Sequence, residues 1–133
     1  MAKFGLSQPV RRIEDPRLLM GRGRYTDDVP APEGTLRGHV LRSPHAHAAI
    51  RGIDTRAARA MPGVQGIYTA ADLAAEGLGE LPCAIPLKNR DGTPRAETPR
   101  FALAADVVRH VGDPVAFVVA DTVQAAKDAA DAI

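Results

Sequence analysis

The feature that most constrains this 133-residue chain lies near its end, where an unbroken apolar run is followed by an alanine-rich segment. The run at 115–120 reads VAFVVA and is typical of a strand covered on both faces. Asp121 or Thr122 can cap the helix that follows, VQAAKDAADAI, whose alanines and Val123 form one face of small residues. Such a face suits close packing on a sheet. The chain is therefore predicted to contain a sheet with a helix lying close against it.

Shorter strands and helices alternate before this pair. Hydrophobic alternation and Pro or Gly breaks predict strands near 35–43, 48–54, 64–69 and 114–120. Capping residues and alanine-rich stretches predict helices near 56–61, 70–76 and 122–132. The order favours an α/β or α+β layer over a helical bundle. Packing energy is expected to concentrate at Val115, Phe117 and Val119 or their neighbours, because their strand has no polar face.

Composition places the chain among soluble single domains or pieces of one. Apolar residues make up 45% and charged residues 25%, while aromatic residues reach only 4% and Trp is absent. The core must then rest on Ala, Val, Leu and Ile. A formal net charge of +1 argues against nucleic acid as a partner. Since no apolar run approaches a membrane span and residues 1–10 lack a signal-peptide core, a cytoplasmic location is expected.

The single cysteine, Cys83, excludes an internal disulfide and every multi-cysteine metal or iron–sulfur site. It could be a nucleophile beside a histidine base such as His110, but a small structural side chain is the preferred interpretation. Cys83 lies in a stretch, 81–100, that holds four prolines and the turn signal Asn-Arg-Asp-Gly. A loop of this length inside a compact domain is expected to be functional, covered by a partner or mobile.

Two short motifs invite a ligand-binding interpretation. His45 and His47 could share a metal ion if they lay on a strand, but a closed zinc site needs four ligands and no others stand nearby. A polar turn is preferred, in which Ser43 and one imidazole bond to backbone groups after Pro44. Gly21-Arg22-Gly23 lacks the third glycine of a dinucleotide loop and follows a helix, so nucleotide binding is rejected.

The residues before position 31 contain their own signals for a short helix, a turn and ion pairs. Asp15 is predicted to cap a short helix whose first residue is Pro16 and which Gly21 and Gly23 can end, and Tyr25 and Thr26 are predicted to begin extended chain. A turn at 27–30 closes the segment. The arginines among these residues lie close in sequence to four carboxylates, and they are interpreted as forming surface or interface ion pairs: Arg11, Arg12, Arg17, Arg22 and Arg24.

Three segments, in this order, resemble the start of the large subunit of molybdenum hydroxylases: VRRIEDPRLLMGRGRYTDD at 10–28, RSPHAHA at 42–48 and VGDPVAFVVAD at 111–121. The superfamily includes xanthine dehydrogenase, aldehyde oxidase and aerobic carbon monoxide dehydrogenase, and the chain looks most like the carbon monoxide dehydrogenase branch. The resemblance runs from about Val10 to Ile133. It implies an α+β fold, the α/β-hammerhead, with a mixed sheet and short helices packed on it.

The resemblance also implies a division of the chain. Residues 1–28 would form a leader or docking segment, and residues 29–133 the hammerhead domain, truncated before its last strand. The leader and the 81–100 loop are expected to be interface segments, mobile without their partner. The cofactor-binding domains would be absent. Asp113 matches an acidic or polar turn position of the family, so it is expected to form hydrogen bonds within its turn.

By the same resemblance, the complete enzyme would hydroxylate or oxidise its substrate at a molybdenum–pterin cytosine dinucleotide, taking oxygen from water. Electrons would leave through [2Fe–2S] clusters and FAD on partner subunits. The general-base glutamate and the cofactor-binding loops lie beyond Ile133 in the family, so no catalytic, cofactor-binding or metal-ligating residue is expected in this chain. Carbon monoxide, aldehydes and N-heterocycles all remain possible substrates.

Two other classes of function compete with a structural domain of an enzyme. A stand-alone protein-interaction module would use the arginine-rich leader and the proline-rich loop as its docking surface. A metal-binding protein would use His45 and His47. Reading the gene past codon 133 separates the module from the enzyme, and a zinc or nickel titration tests the metal-binding protein.

Overall fold

A computed structural model describes residues 11–82, 85, 87–96 and 98–133. The chain divides into two compact units, and the boundary falls between Glu33 and Gly34. Within its described residues, the amino-terminal unit contains one short helix, α1 (Asp15–Leu19), and a 3-10 turn at Thr26–Asp28. None of its described residues is buried, and Ile13 and Leu19 are 97% and 87% exposed. This unit therefore has no apolar core of its own within the described residues.

The start of α1 differs from the sequence prediction. Glu14 occupies the cap position and makes no capping bond through its side chain, while Asp15 lies inside the first turn with Pro16 beside it. The Asp15 carboxylate instead pairs with the Arg12 guanidinium at 3.2 Å. Gly21 follows the helix with φ = 67°, a left-handed conformation that glycine adopts without strain, as expected for a helix stop.

The prediction of extended chain from Tyr25 holds for that residue but is wrong for Thr26. Tyr25 has φ = −95° and ψ = 174°, whereas Thr26 begins the 3-10 turn. The Asp28 carboxylate accepts the Tyr25 N–H at 2.9 Å, and the Asp28 N–H donates to the Tyr25 carbonyl at 3.0 Å. This reciprocal pair of hydrogen bonds holds the backbone in a turn, because the carboxylate of an Asp three residues after a cap residue accepts the otherwise unpaired N–H of that cap residue.

The second unit contains the sheet. Its elements in chain order are β1 (Arg37–Arg42), β2 (Ala48–Ala49), α2 (Arg56–Arg59), β3 (Val64–Thr69), α3 (Ala70–Ala75), β4 (Val107–Val108), β5 (Pro114–Ala120) and α4 (Val123–Asp131). The larger sheet has the order β1-β5-β3, and β5 runs antiparallel to both neighbours. The smaller sheet pairs β2 with β4. The predicted α+β class with short helices packed on a sheet is confirmed, while the described strands form two sheets and all pair antiparallel instead of forming one mixed sheet.

The strands predicted over 64–69 and 114–120 have the predicted bounds, and the other predicted elements are one or two residues shorter at one or both ends, apart from two errors. The strand predicted over 48–54 ends at Ala49, because β4, the strand that pairs with it, is two residues long. Beyond that point the Ile50 N–H still donates to the Asp106 carbonyl at 2.8 Å. β4 itself was not predicted, since Val107-Val108 is too short to show an alternating pattern.

The core lies on one face of the larger sheet, under α2 and α4. Its members are almost completely buried: Ala58, Ile67, Val118, Ala120, Ala126, Ala129 and Ala130. The small-residue face of α4 was predicted to allow close packing on a sheet, and three of its alanines lie in this core. The Thr122 hydroxyl caps this helix by accepting the Ala125 N–H at 3.1 Å, so of the two proposed caps Thr122 is the one used.

The prediction that β5 is covered on both faces is wrong for the described chain. Ala116, Val118 and Ala120 are fully buried, whereas Phe117, on the opposite face, is 38% exposed. The reason is that α2 and α4 pack on one side of the sheet only, which a sequence of purely apolar residues cannot reveal. Burial in β5 is therefore greatest at Ala116, Val118 and Ala120. These are the neighbours of Val115, Phe117 and Val119, where the packing energy was expected.

Truncation of Phe117 is consequently expected to have a moderate effect. We expect Phe117→Ala to lower the free energy of unfolding by about 1–2 kcal/mol, below the ~3–5 kcal/mol typical of a buried Phe, because part of the ring already faces solvent. Denaturant melting measures this loss. Val118→Ala is the matched comparison on the covered face: it deletes fewer carbon atoms but should cost at least as much. A loss above about 3 kcal/mol for Phe117→Ala would contradict the exposed position.

Candidate functional site

Asp113 organises the turn that precedes β5. Its carboxylate accepts the Arg109 N–H at 2.8 Å, and its own N–H donates to the His110 carbonyl at 3.2 Å. The Asp113 carbonyl also accepts the N–H of Ser43 at 2.9 Å, which ties the turn to the end of β1. The expected role in turn hydrogen bonding is confirmed. Because each of these bonds holds backbone, the carboxylate serves to shape the loop.

The segment containing the two histidines is a bend between β1 and β2, not a strand. The buried Ser43 hydroxyl accepts the His45 N–H at 3.0 Å and lies 3.3 Å from the His45 carbonyl. These bonds agree with the predicted polar turn, although they engage the backbone of His45 and not its imidazole. Among the described residues, no group of three His, Cys, Asp or Glu side chains converges as metal ligands. The strand geometry that a shared metal required is not formed.

The remaining candidates from the sequence are local. Within the described part of the leader, the ion pair that forms among the named charges joins Arg12 to Asp15, and the Arg12 side chain is 81% exposed. Gly21 lies just after the end of α1, whereas the glycines of a nucleotide-binding loop precede a helix, so the position agrees with the rejection of such a loop. Cys83, for which a structural role was preferred, lies outside the described residues, so that preference stays a prediction. The turn predicted at 89–92 is present, since the Gly92 N–H donates to the Asn89 carbonyl at 2.9 Å.

Among the described residues, three carboxyl groups have a displaced pKa, and in all three the pKa is lowered by neighbours close in sequence. The guanidinium of Arg56 lowers the pKa of Asp54, the Thr69 hydroxyl lowers the pKa of Asp72, and the Thr93 hydroxyl lowers that of Asp91. Each partner lies two or three residues away and also donates its backbone N–H to the same carboxylate. Such groups stabilise turns and helix ends. They are not suited to proton transfer near neutral pH, which needs a raised carboxyl pKa.

Asp72 offers a test of this structural role. The N–H and the hydroxyl of Thr69 both donate to its carboxylate at 2.7 Å, at the start of α3. We expect Asp72→Ala to cost about 1 kcal/mol of unfolding free energy at neutral pH, as loss of a capping interaction does. Urea melting measures the cost, and the exposed Glu76→Ala, at the other end of the helix, is the control.

The pH dependence of this contribution follows from the sign of the shift. Because the folded-state pKa of Asp72 is lowered, its stabilisation is complete above the unfolded pKa of about 3.9 and is lost as the pH falls through the folded value. Asp72→Asn should therefore weaken the acid dependence of stability below about pH 4. An unchanged acid profile in that variant would contradict the assignment.

An apolar groove lies on the face of the larger sheet opposite the core. Val40, Phe117 and Tyr68 are cross-strand partners and form one row across β1, β5 and β3. Leu73 and Leu103 line the groove beside this row, and Arg42 is its charged member. Phe117 and Tyr68 are 38% and 46% exposed. This surface was not predicted from the sequence. The glycines at positions 38 and 66, within strands that otherwise have side chains to pack, were the signal that could have indicated it.

This architecture and these contacts describe an α+β domain whose larger sheet has one face covered by helices and one partly exposed apolar face. Residues 20–133 match the family described as "Aldehyde oxidase and xanthine dehydrogenase, a/b hammerhead domain". The match covers most of the chain, so the chain belongs to this family. The resemblance inferred from the sequence is thereby confirmed.

Individual relatives point to the same family. The chain is 45% identical to the nicotine 6-hydroxylase large subunit of Paenarthrobacter nicotinovorans, over 96% of this chain and 15% of the relative. It is 39% identical to the carbon monoxide dehydrogenase large chain of Afipia carboxidovorans, over 97% of this chain and 14% of the relative. Among solved structures, quinoline 2-oxidoreductase from Pseudomonas putida 86 superposes with a TM-score of 0.77 at 40% identity, over 98% and 16% of the two chains. The chain thus spans roughly one-seventh of these relatives.

Proposed function

We propose that this chain is the structural amino-terminal domain of a molybdopterin-dependent oxidoreductase large subunit and that it contributes to assembly, not to chemistry. The observation that carries the proposal is the family match over 20–133, in a domain where the Asp113 carboxylate holds a turn and the Asp72 carboxylate caps a helix. The complete subunit would carry a molybdenum–pterin cytosine dinucleotide. Iron–sulfur and FAD subunits would be its partners, and the enzyme would be cytoplasmic.

We assign none of the described residues to the binding of that cofactor. No three potential ligand side chains converge among them, and the Gly21-Arg22-Gly23 segment ends a helix instead of opening one. The described residues also contain no helix long and apolar enough to cross a lipid bilayer. We therefore assign no step of the reaction to this chain. Its contribution would be to hold the cofactor-binding domains in their place.

The proposal is tested on the full-length enzyme, purified with its iron–sulfur and FAD subunits. We expect stoichiometric molybdenum and dye-linked oxidation of one of three substrate classes: an N-heterocycle, an aldehyde or carbon monoxide. N-heteroaromatic compounds are the first to test, because two relatives are named for nicotine and quinoline. The isolated 133-residue chain should show no molybdenum and no flavin or iron–sulfur absorption. A full-length enzyme without molybdenum, or an isolated chain that contains it, would overturn the proposal.

The stand-alone interaction module remains the alternative, and one observation favours it: the amino-terminal unit exposes apolar side chains such as Ile13, Leu19 and Met20. The same exposure also suits a leader that docks onto the rest of an enzyme. A gene that continues past codon 133 with cofactor-binding loops supports the enzyme, and a stop codon supports the module.

The leader gives a further expected result under this proposal. Residues 11–28 should exchange their amide hydrogens quickly in the isolated chain and slowly in the complete subunit, because the described leader buries no side chain by itself. Hydrogen exchange measured by mass spectrometry follows both forms, with α4 as the internal reference that is protected in each. Strong protection of 11–28 in the isolated monomer would contradict a docking role.

A further inference from the structure

The two aromatic rings on the open face of the larger sheet lie over glycines. A Cβ atom placed on Gly38 would stand 2.5 Å from Cζ and 2.8 Å from Cε2 of Phe117. A Cβ atom on Gly66 would stand 3.0 Å from both Cε2 and the hydroxyl oxygen of Tyr68. Neither glycine has a positive φ, so backbone conformation does not demand glycine at these positions. Because glycine has no side chain, each ring instead has room to lie along the sheet.

These rings make the open face a flat apolar surface. Phe117 and Tyr68 are cross-strand partners, and Val40 continues their row onto the third strand. The groove beside the row is lined mainly by apolar side chains. The guanidinium of its charged member, Arg42, already donates to the Gly112 carbonyl at 2.9 Å. A surface of this composition is complementary to apolar side chains and offers little to an ionic or nucleic acid partner.

We propose that this glycine-flanked aromatic surface, formed by Val40, Tyr68 and Phe117, is the docking site for the part of the large subunit that lies outside these 133 residues. The inference rests on the proposed function, and it names the surface through which the domain acts in assembly. The relatives are roughly seven times longer than this chain, so a full-length subunit offers abundant polypeptide to cover the surface. A tethered segment reaches millimolar effective concentration, which favours it over a second copy of the chain.

Cysteine labelling in the full-length large subunit tests directly whether the rest of that subunit covers the surface. Tyr68→Cys places a thiol on the surface, and Lys127→Cys places one on the exposed side of α4 as the reference. N-ethylmaleimide is the probe, and peptide mass spectrometry reads the rate at each site without interference from other cysteines. In the monomeric large subunit, we expect position 68 to react about tenfold or more slowly than position 127, and equally fast after unfolding in urea.

Each outcome of the labelling experiment tests the docking proposal independently of the proposed function. Slow labelling at position 68 in the monomer supports it, whatever the molybdenum content of the preparation. Fast labelling in the monomer overturns it. Protection that appears only after self-association, or only after the iron–sulfur and FAD subunits are added, also overturns it, because the occupant is then a second copy or a partner subunit.

A second pair of variants tests the role of the glycines. Gly38→Ala should displace the Phe117 ring and raise the labelling rate at Tyr68→Cys in the full-length subunit several-fold, because the covering segment loses its flat contact. Gly52→Ala is the matched control, since a Cβ atom there meets nothing within 4 Å. An unchanged rate in the Gly38→Ala background would overturn the inference that the glycines shape the docking surface.

Discussion

Replacing Ile67 with Ala is expected to lower the free energy of unfolding by about 2–5 kcal/mol, the largest single loss from truncation in this chain. Ile67 lies in β3 with only 1% of its surface exposed, and it is one of the two largest fully buried side chains among the described residues. Its neighbours in the core are mostly alanines, which have no flexible atoms with which to fill a cavity. The cost should therefore fall in the upper part of the range.

Equilibrium denaturation of the wild-type and variant chains measures the loss from the shift in midpoint at constant slope. Ile67→Val is the graded comparison and should cost about 0.5–1.5 kcal/mol, because it deletes one methylene group. Gln65→Ala, on the same strand but exposed, is the surface control, and it removes an exposed hydrogen bond to Asp121 at 2.8 Å but no buried apolar atoms. If Ile67→Ala cost less than about 1 kcal/mol, the core described under α2 and α4 would be misplaced.

Enlarging Ala126 is expected to have the second largest effect. This residue lies in α4 against the larger sheet with none of its surface exposed, and the helix also buries Ala129 and Ala130. Leu at position 126 has no space, so the helix must move away from β1 and β5 or the new side chain must adopt a strained rotamer. We expect Ala126→Leu to cost about 1–3 kcal/mol.

The control for this variant uses the same helix. Lys127→Leu introduces the same side chain on the exposed side of α4, where Leu is nearly as good a helix former as Lys. Its effect on the midpoint of thermal or urea unfolding should lie within about 0.5 kcal/mol of zero. Equal losses at positions 126 and 127 would show that α4 does not approach the sheet through its alanines.

Several parts of the fold could be read from the sequence because their cause is local. Thr122 before an alanine-rich helix, Asp113 in its turn and the glycine after α1 each act within a few residues, and each is present in the structure. The family could also be recognised, because three separate segments occur in the order of the large subunit. Errors arose where a local signal had two outcomes. Asp15 could cap a helix or lie in its first turn, and the chain adopted the second.

Long-range partners determined the rest. An entirely apolar strand such as β5 predicts burial but not on which face, and the positions of α2 and α4 on one side leave Phe117 half exposed. The strand predicted over 48–54 was cut short by a two-residue partner more than fifty positions away. Likewise, Gly38 lies beside the Phe117 ring only because β1 pairs with β5, whereas Gly66 and Tyr68 share one strand. The sequence by itself determined the element types, the caps and the family, since these depend on neighbouring residues. The tertiary structure alone decided which faces are covered, because burial depends on residues that pairing brings together from distant parts of the chain.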